Sequence, residues 1–188
     1  LILISLKLIE KVHGNDATAE YKKSLFTLPA VIDKALAKRE EIKKLAKILS
    51  KEKLIVITAD GISYSLAKEA ALKIKETSYK NISAAILGEF MHGHVAVLNN
   101  KATLMYISVD KISKRSVANL QKIKVDYNPK IIIIGPKDEE LNPDYNINIV
   151  CDNEIQQMFA NVLICQQLAL EIALKLKRNV DSPKGLHK

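Results

Sequence analysis

Four short apolar runs, Leu54–Thr58, Ala102–Val109, Ile131–Ile134 and Ile147–Cys151, alternate with stretches of helical periodicity, and nothing else in the sequence constrains the fold as tightly. Each run is four to eight residues long and rich in apolar and β-branched side chains, as in strands buried on both faces. The intervening helical segments are Ser63–Thr77 and Ser113–Val125, and Glu154–Leu176 closes the series. Strands that alternate with helices imply βαβ units. The expected fold class is therefore α/β: a three-layer α/β/α sandwich around a parallel sheet. Ile82–Ile86 is too short to assign. Before Lys53 the pattern is helical. Leu1–Val12 ends at Gly14-Asn15, Ala17–Leu25 follows, and Pro29 begins a new segment. From Ala30 to Ser50 an apolar stripe through Val31, Ala35, Ile42, Leu45 and Leu49 marks one long helix or two short ones.

Composition removes several classes of function. The 188 residues suit one domain with a helical appendage, and 48% hydrophobic with 27% charged residues argues against disorder. Two cysteines are too few for a disulfide framework. No apolar run approaches the roughly 18–20 residues that span a bilayer. Leu1–Ile9 lacks the basic leader and cleavage site of a signal peptide, so no membrane partner and a cytoplasmic location are expected. The net charge of +8 is nearly all lysine, with Arg39, Arg115 and Arg178 the only arginines. Scattered lysines without an arginine cluster or tryptophan read as a solvated surface, and no nucleic-acid partner is expected. The chain opens on Leu1 inside a helical pattern, as a piece of a longer polypeptide would.

Common cofactor motifs do not occur: no G-x-G-x-x-G follows a strand, and there is no P-loop, C-x-x-C or H-E-x-x-H. Cys151 and Cys165 read as small buried hydrophobes. On the Ser63–Ser78 helix, Glu69, Lys73 and Glu76 fall at i, i+4 and i+7, within an arc of about 60° bordering the buried stripe. Such spacing also describes an ordinary surface ladder of charge pairs. Gly88-Glu-Phe-Met-His-Gly-His94 then packs a Glu, two His and two Gly into seven residues, a loop suited to presenting an acid or base. His92-Gly-His94 has no third ligand at a recognisable spacing, so no metal is expected. Ser63, at the start of a helix, reads as an N-cap.

These segments carry a resemblance. Glu69-Ala-Ala-Leu-Lys-Ile-Lys-Glu-Thr-Ser-Tyr79, Gly88-Glu-Phe-Met-His-Gly93 and Asp181-Ser-Pro-Lys-Gly-Leu-His-Lys188 resemble, in order and spacing, three segments of the glucosamine-6-phosphate synthase family. The match lies in its isomerase half, a tandem of sugar isomerase (SIS) domains. The resemblance implies a sheet of about five strands, with residues 1–50 as a helical connector from a preceding SIS domain, 51–176 as the SIS domain and 177–188 as a catalytic tail. It implies Glu76 as the base that moves a proton between C1 and C2 of a sugar phosphate. His92 would open the sugar ring, reaching in from a neighbouring subunit of a homodimer, and Lys188 would form an imine with the fructose-6-phosphate carbonyl. Lys73 would support catalysis, and Glu69 and Glu89 would contact substrate. No cofactor is implied.

The sequence also departs from the family. Met91 stands where the family has lysine and His94 where it has proline, and no Ser/Thr-rich phosphate loop is present. Related glucosamine-6-phosphate deaminases and fructosamine-phosphate deglycases carry variants of the same loop and are alternatives. A non-catalytic phosphosugar sensor is another, against which Glu76, His92 and Lys188 together argue.

Overall fold

The computed structural model describes residues 1–185. Three helices come first: α1 (Ile2–His13), α2 (Ala19–Ala37) and α3 (Arg39–Leu49). The alternating part follows as β1 (Leu54–Ala59), α4 (Ser63–Ser78), β2 (Ile82–Ile86), the short α5 (Leu87–Phe90), β3 (Ala102–Ile107), α6 (Lys114–Tyr127), β4 (Lys130–Ile134), β5 (Tyr145–Ile147) and α7 (Glu154–Lys175). The five strands form one parallel sheet in the order β2-β1-β3-β4-β5. Ile57 stands beside Ala84 on one side and Met105 on the other, which fixes the register of the centre.

Alternation along the strands makes the two faces. Ile55, Ile57, Met105, Ile107, Ile132 and Ile134 point into a core shared with α2, α3, α4 and α7. Val56, Leu104, Tyr106, Ile131 and Ile133 point into a second core under α5 and α6. The expected three layers are present, because a strand apolar on both sides is stable only when both are covered. α2 and α3 belong to the first core: Val31 and Ala35 of α2 and Ile42, Leu45 and Leu49 of α3 are all buried there.

Two expectations need correction, and one unassigned segment takes a definite form. Pro29 lies inside α2 instead of opening a new segment. A proline removes a helical hydrogen bond and crowds the preceding turn. Here the buried Gln156 of α7 donates to both the Ser24 carbonyl and the Thr27 hydroxyl at 2.8 Å, so the disturbed turn is supported from outside the helix. The helical stretch breaks instead at Lys38. The last strand is Tyr145–Ile147, not Ile147–Cys151. Its ladder ends where Gly135 N–H donates to the Ile147 carbonyl at 3.0 Å, since β4 turns away at that glycine and leaves no partner beyond. The unassigned Ile82–Ile86 is an edge strand, paired only with β1.

α3 is tied to α7 by charge. Glu171 is 4% exposed, and Arg39 Nε donates to its Oε1 at 3.0 Å. Arg39→Leu strands that carboxylate. Because Arg39 is more than half exposed, we expect a loss of about 2 kcal/mol in urea unfolding, not the ~3–5 of a fully buried pair. Adding Glu171→Leu should recover most of it. An unchanged urea midpoint in Arg39→Leu would show that other groups hold Glu171.

Candidate active site

The last turns of α4 bring Glu69, Lys73 and Glu76 together. α4 lies on α7 through Ala67, Ala70, Ala71 and Ile74, small residues that let the two helices approach closely and turn the charged side outward. Thr77 Oγ1 donates to the Lys73 carbonyl at 2.8 Å and approaches the Ala169 carbonyl of α7 at 3.4 Å, which fixes the turn between the two charges. Lys73 Nζ stands 2.9 Å from Glu76 Oε2 and 3.8 Å from Glu69 Oε1. The hydrogen bond to Glu76 holds the Lys73 ammonium above the ordinary lysine range against a small desolvation, with the charges of both glutamates adding to it. The cation therefore persists beside Glu76 across the neutral range. The Glu76 side chain is 25% exposed, open to a ligand on one side and backed by the lysine on the other.

Glu89 and His92 lie elsewhere in the chain. Glu89 is on α5, which the sequence presents as part of a loop, and His92 follows in the next turn, its N–H donating to the Glu89 carbonyl at 3.0 Å. Both are exposed. α4 ends three residues before β2 begins, so Glu76 stands at the N-terminal end of that strand, whereas Glu89 and His92 lie beyond its C-terminal end. The strand has five residues, or about 16 Å at ~3.3 Å each. The helices also cover opposite faces of the sheet. Within one chain, His92 and Glu76 are not brought together. Glu89 instead borders a cleft of about 540 Å³ along β2, with Val56, Phe90, His94 and Val97. Lys188 lies outside the described residues.

Open parallel sheets take ligands where the strand order reverses, here between the C-terminal ends of β1 and β3. That crevice is filled by its own polar groups, a network separated too widely in sequence to be read there. Asp60 Oδ2 accepts from Tyr106 OH at 3.2 Å and from Ser116 Oγ at 2.9 Å. Burial first, and then the Asp60 charge, push the Tyr106 phenol up to about 12. Ser63 is buried and does not cap α4. Its own N–H closes a turn onto the Asp60 carbonyl, and its hydroxyl accepts from Val109 N–H at 3.1 Å, pinning the loop after β3. A neighbouring cleft of about 320 Å³ is lined by Glu20, Asp110, Asp152 and Glu154, and its other lining residues are uncharged. Four carboxylates disfavour a phosphate there.

Among the described residues, no group of three or more His, Cys, Asp or Glu is placed to hold a metal ion. Burial pushes Cys151 up to about 11 and Cys165 up to about 12, so neither is a ready nucleophile. α7 is the one described helix long and apolar enough to cross a membrane; here it is the central helix of the first core.

Sheet order, two covered faces and a charge cluster on a covering helix define a doubly wound α/β domain whose charged triad stands away from the switch point. The SIS domain family model matches residues 48–176, and the chain belongs to that family. It is 33% identical over 171 residues to glutamine–fructose-6-phosphate aminotransferase (isomerizing) of Methanococcus maripaludis, covering 89% of this chain and 28% of that protein. It is 29% identical over 193 residues to the protein of the same name from Wigglesworthia glossinidia brevipalpis, covering 100% of this chain and 31% of that protein. The chain thus spans less than a third of the length of either relative. The C-terminal domain of glucosamine-fructose-6-phosphate aminotransferase from Francisella tularensis shares the fold, with a TM-score of 0.80 and 24% identity over 87% of this chain and 47% of that one.

Proposed function

We propose that the chain is the C-terminal SIS domain of a longer, glucosamine-6-phosphate-synthase-like enzyme acting on fructose-6-phosphate and glucosamine-6-phosphate. The observation that carries the proposal is the Lys73–Glu76 pair at 2.9 Å, on a helix segment that resembles the family's catalytic helix. Aldose–ketose chemistry needs a carboxylate able to reach two adjacent carbons and an electron sink beside them. In this reading the Lys188 amine adds to the C2 carbonyl of the open sugar and water leaves, forming an imine. Ammonia displaces the lysine amine from this imine. The new C2 imine draws electrons from the C1–H bond, Glu76 takes the C1 proton and returns it to C2, and the C1 hydroxyl becomes the aldehyde of glucosamine-6-phosphate. Without ammonia, water returns the imine to the ketone, and the same C1-to-C2 transfer through an enediol gives glucose-6-phosphate. Lys73 orients Glu76 through their hydrogen bond, and Glu69 steadies Lys73.

His92 opens the sugar ring in this proposal. Its distance from Glu76 within one chain favours a homodimer in which the site takes His92 from the neighbouring subunit, with Glu89 on the same loop contacting substrate. The phosphate is held by the preceding domain, since the switch-point crevice of this one is closed by Asp60 and its neighbouring cleft is acidic. Residues 1–50 are then the connector between the two domains, and 177–188 the tail that carries Lys188.

Borohydride reduction in the presence of fructose-6-phosphate tests the assignment on the full-length protein. The sugar should be fixed to the peptide that ends in Lys188, and the untreated protein should form glucose-6-phosphate. Sugar fixed at another residue removes Lys188 from the site. No fixed sugar and no glucose-6-phosphate would leave a phosphosugar-binding domain without catalysis.

A further inference from the structure

The segment after α7 turns back onto the end of α4, and one side chain receives it at two points. The Arg178 guanidinium stands over the Tyr79 ring, 5.0 Å from its centroid. The Lys184 backbone N–H donates to the Tyr79 hydroxyl at 2.7 Å. Between these contacts, Asn179 Oδ1 accepts from the Asp181 and Ser182 N–H groups at 3.0 and 3.3 Å, folding the segment into a turn. Tyr79 closes α4 in the left-handed conformation, with φ 61° and ψ 19°, its N–H donating to the Lys75 carbonyl at 2.9 Å. Glycine or asparagine suits that backbone better than tyrosine, and α6 ends in the same conformation with Asn128. A large aromatic held there at a conformational cost points to work done by its side chain.

We infer that Tyr79 is a positioning residue: it latches the C-terminal tail to the helix end that carries Lys73 and Glu76. The inference rests on the function proposed above, in which the tail delivers Lys188. Tyr79 is three residues beyond Glu76, so the latch and the base are set by one helix end, and any tail it holds starts from a fixed place beside that base. The hydroxyl binds a backbone amide and the ring face binds a cation, so the two halves of the latch can be removed separately. Tyr79 is 40% exposed, which keeps the latch weak enough to open and close.

Two variants separate the halves. Tyr79→Phe keeps the ring and removes the hydroxyl. Tyr79→Gly removes both contacts yet suits the left-handed backbone, so α4 still ends normally. Trypsin cuts after Arg178 and Lys184, the two residues that meet Tyr79. In the 188-residue chain, release of the tail followed by mass spectrometry should be about 5-fold faster in Tyr79→Phe and about 20-fold faster in Tyr79→Gly, with cleavage elsewhere unchanged. In the full-length protein, borohydride fixation of fructose-6-phosphate on Lys188 should slow in the same order while the thermal midpoint holds. Tail cleavage at the parental rate in both variants overturns the latch. Faster cleavage with an unaltered rate of fixation overturns the positioning role, and cleavage raised throughout the chain with a falling midpoint overturns both. Absence of fixed sugar in the parent protein would defeat the proposed function instead, a result that tail cleavage does not depend on.

Discussion

Glu76→Gln is expected to lower conversion of fructose-6-phosphate to glucose-6-phosphate by about 10²–10⁴-fold in the full-length protein, the range typical of removing a positioned general base. The substitution keeps the shape of the side chain and an oxygen for Lys73 Nζ, which stands 2.9 Å from Glu76 Oε2. It removes the charge and the capacity to take a proton from carbon. The loss should fall on kcat, with KM changed by no more than about 2-fold, because Glu76 is assigned no part in holding the phosphate. Stability should move by less than about 1 kcal/mol, as the Lys73 and Glu76 side chains are 38% and 25% exposed and such pairs contribute little. Lys73 should titrate closer to an ordinary lysine once the hydrogen-bonded carboxylate is gone, since that bond is the main cause of its raised pKa. Turnover within about 10-fold of the parent would remove Glu76 from the chemistry. The charge triad would then be the surface ladder that its spacing also describes.

How much could be read from the sequence depended on how many neighbours each element has. β1, β3 and β4 are central strands with helices on both sides. Apart from Thr58, Thr103 and Lys130 their residues are apolar, and the apolar runs mark them to within two residues at each end. β2 and β5 are edges. Ser83 is exposed in one, and Asn146 of the other spends its amide on the Ile133 and Gly135 carbonyls, so neither carries the pattern of a buried strand. The grouping of Glu69, Lys73 and Glu76 was legible because a single helix generates it. The separation of Glu76 from His92 was not, because it depends on where β2 lies in the sheet. The Asp60, Tyr106 and Ser116 network joins residues 46 and 56 positions apart, and the tail contact spans 105. Contacts of that range follow from topology, which local periodicity does not encode. Pro29 misled for the opposite reason: a local rule gave way to a helix packed against α7, where Gln156, 127 positions away from Pro29 in the chain, bonds the turn before the proline.

Gly135→Ala should destabilise the domain by about 3–5 kcal/mol or prevent folding, the largest effect expected among the glycines, since only at Gly135 does a built Cβ meet other atoms within 4 Å. Gly135 has φ +132°, a conformation that L side chains rarely adopt, and a Cβ built there would lie 2.1 Å from the Ser108 carbonyl oxygen. Neither obstacle can relax alone. Ser108 N–H donates to the Ile134 carbonyl at 3.0 Å, and Asn161 Nδ2 of α7 donates to the Ser108 carbonyl at 2.7 Å. Gly135 N–H meanwhile closes the ladder onto β5. Moving Ser108 away from the new methyl therefore pulls on β4 and on α7 together, and α7 is the surface on which α4 is seated. The damage should reach α4, with activity at moderate temperature lost along with the urea midpoint. Gly88→Ala is the matching control: Gly88 lies on α5 with nothing within 4 Å of a built Cβ, so stability should change by less than about 1 kcal/mol. If Gly135→Ala unfolds at the same urea concentration as Gly88→Ala, the close approach of β3 and β4 at Ser108 does not hold this end of the sheet together.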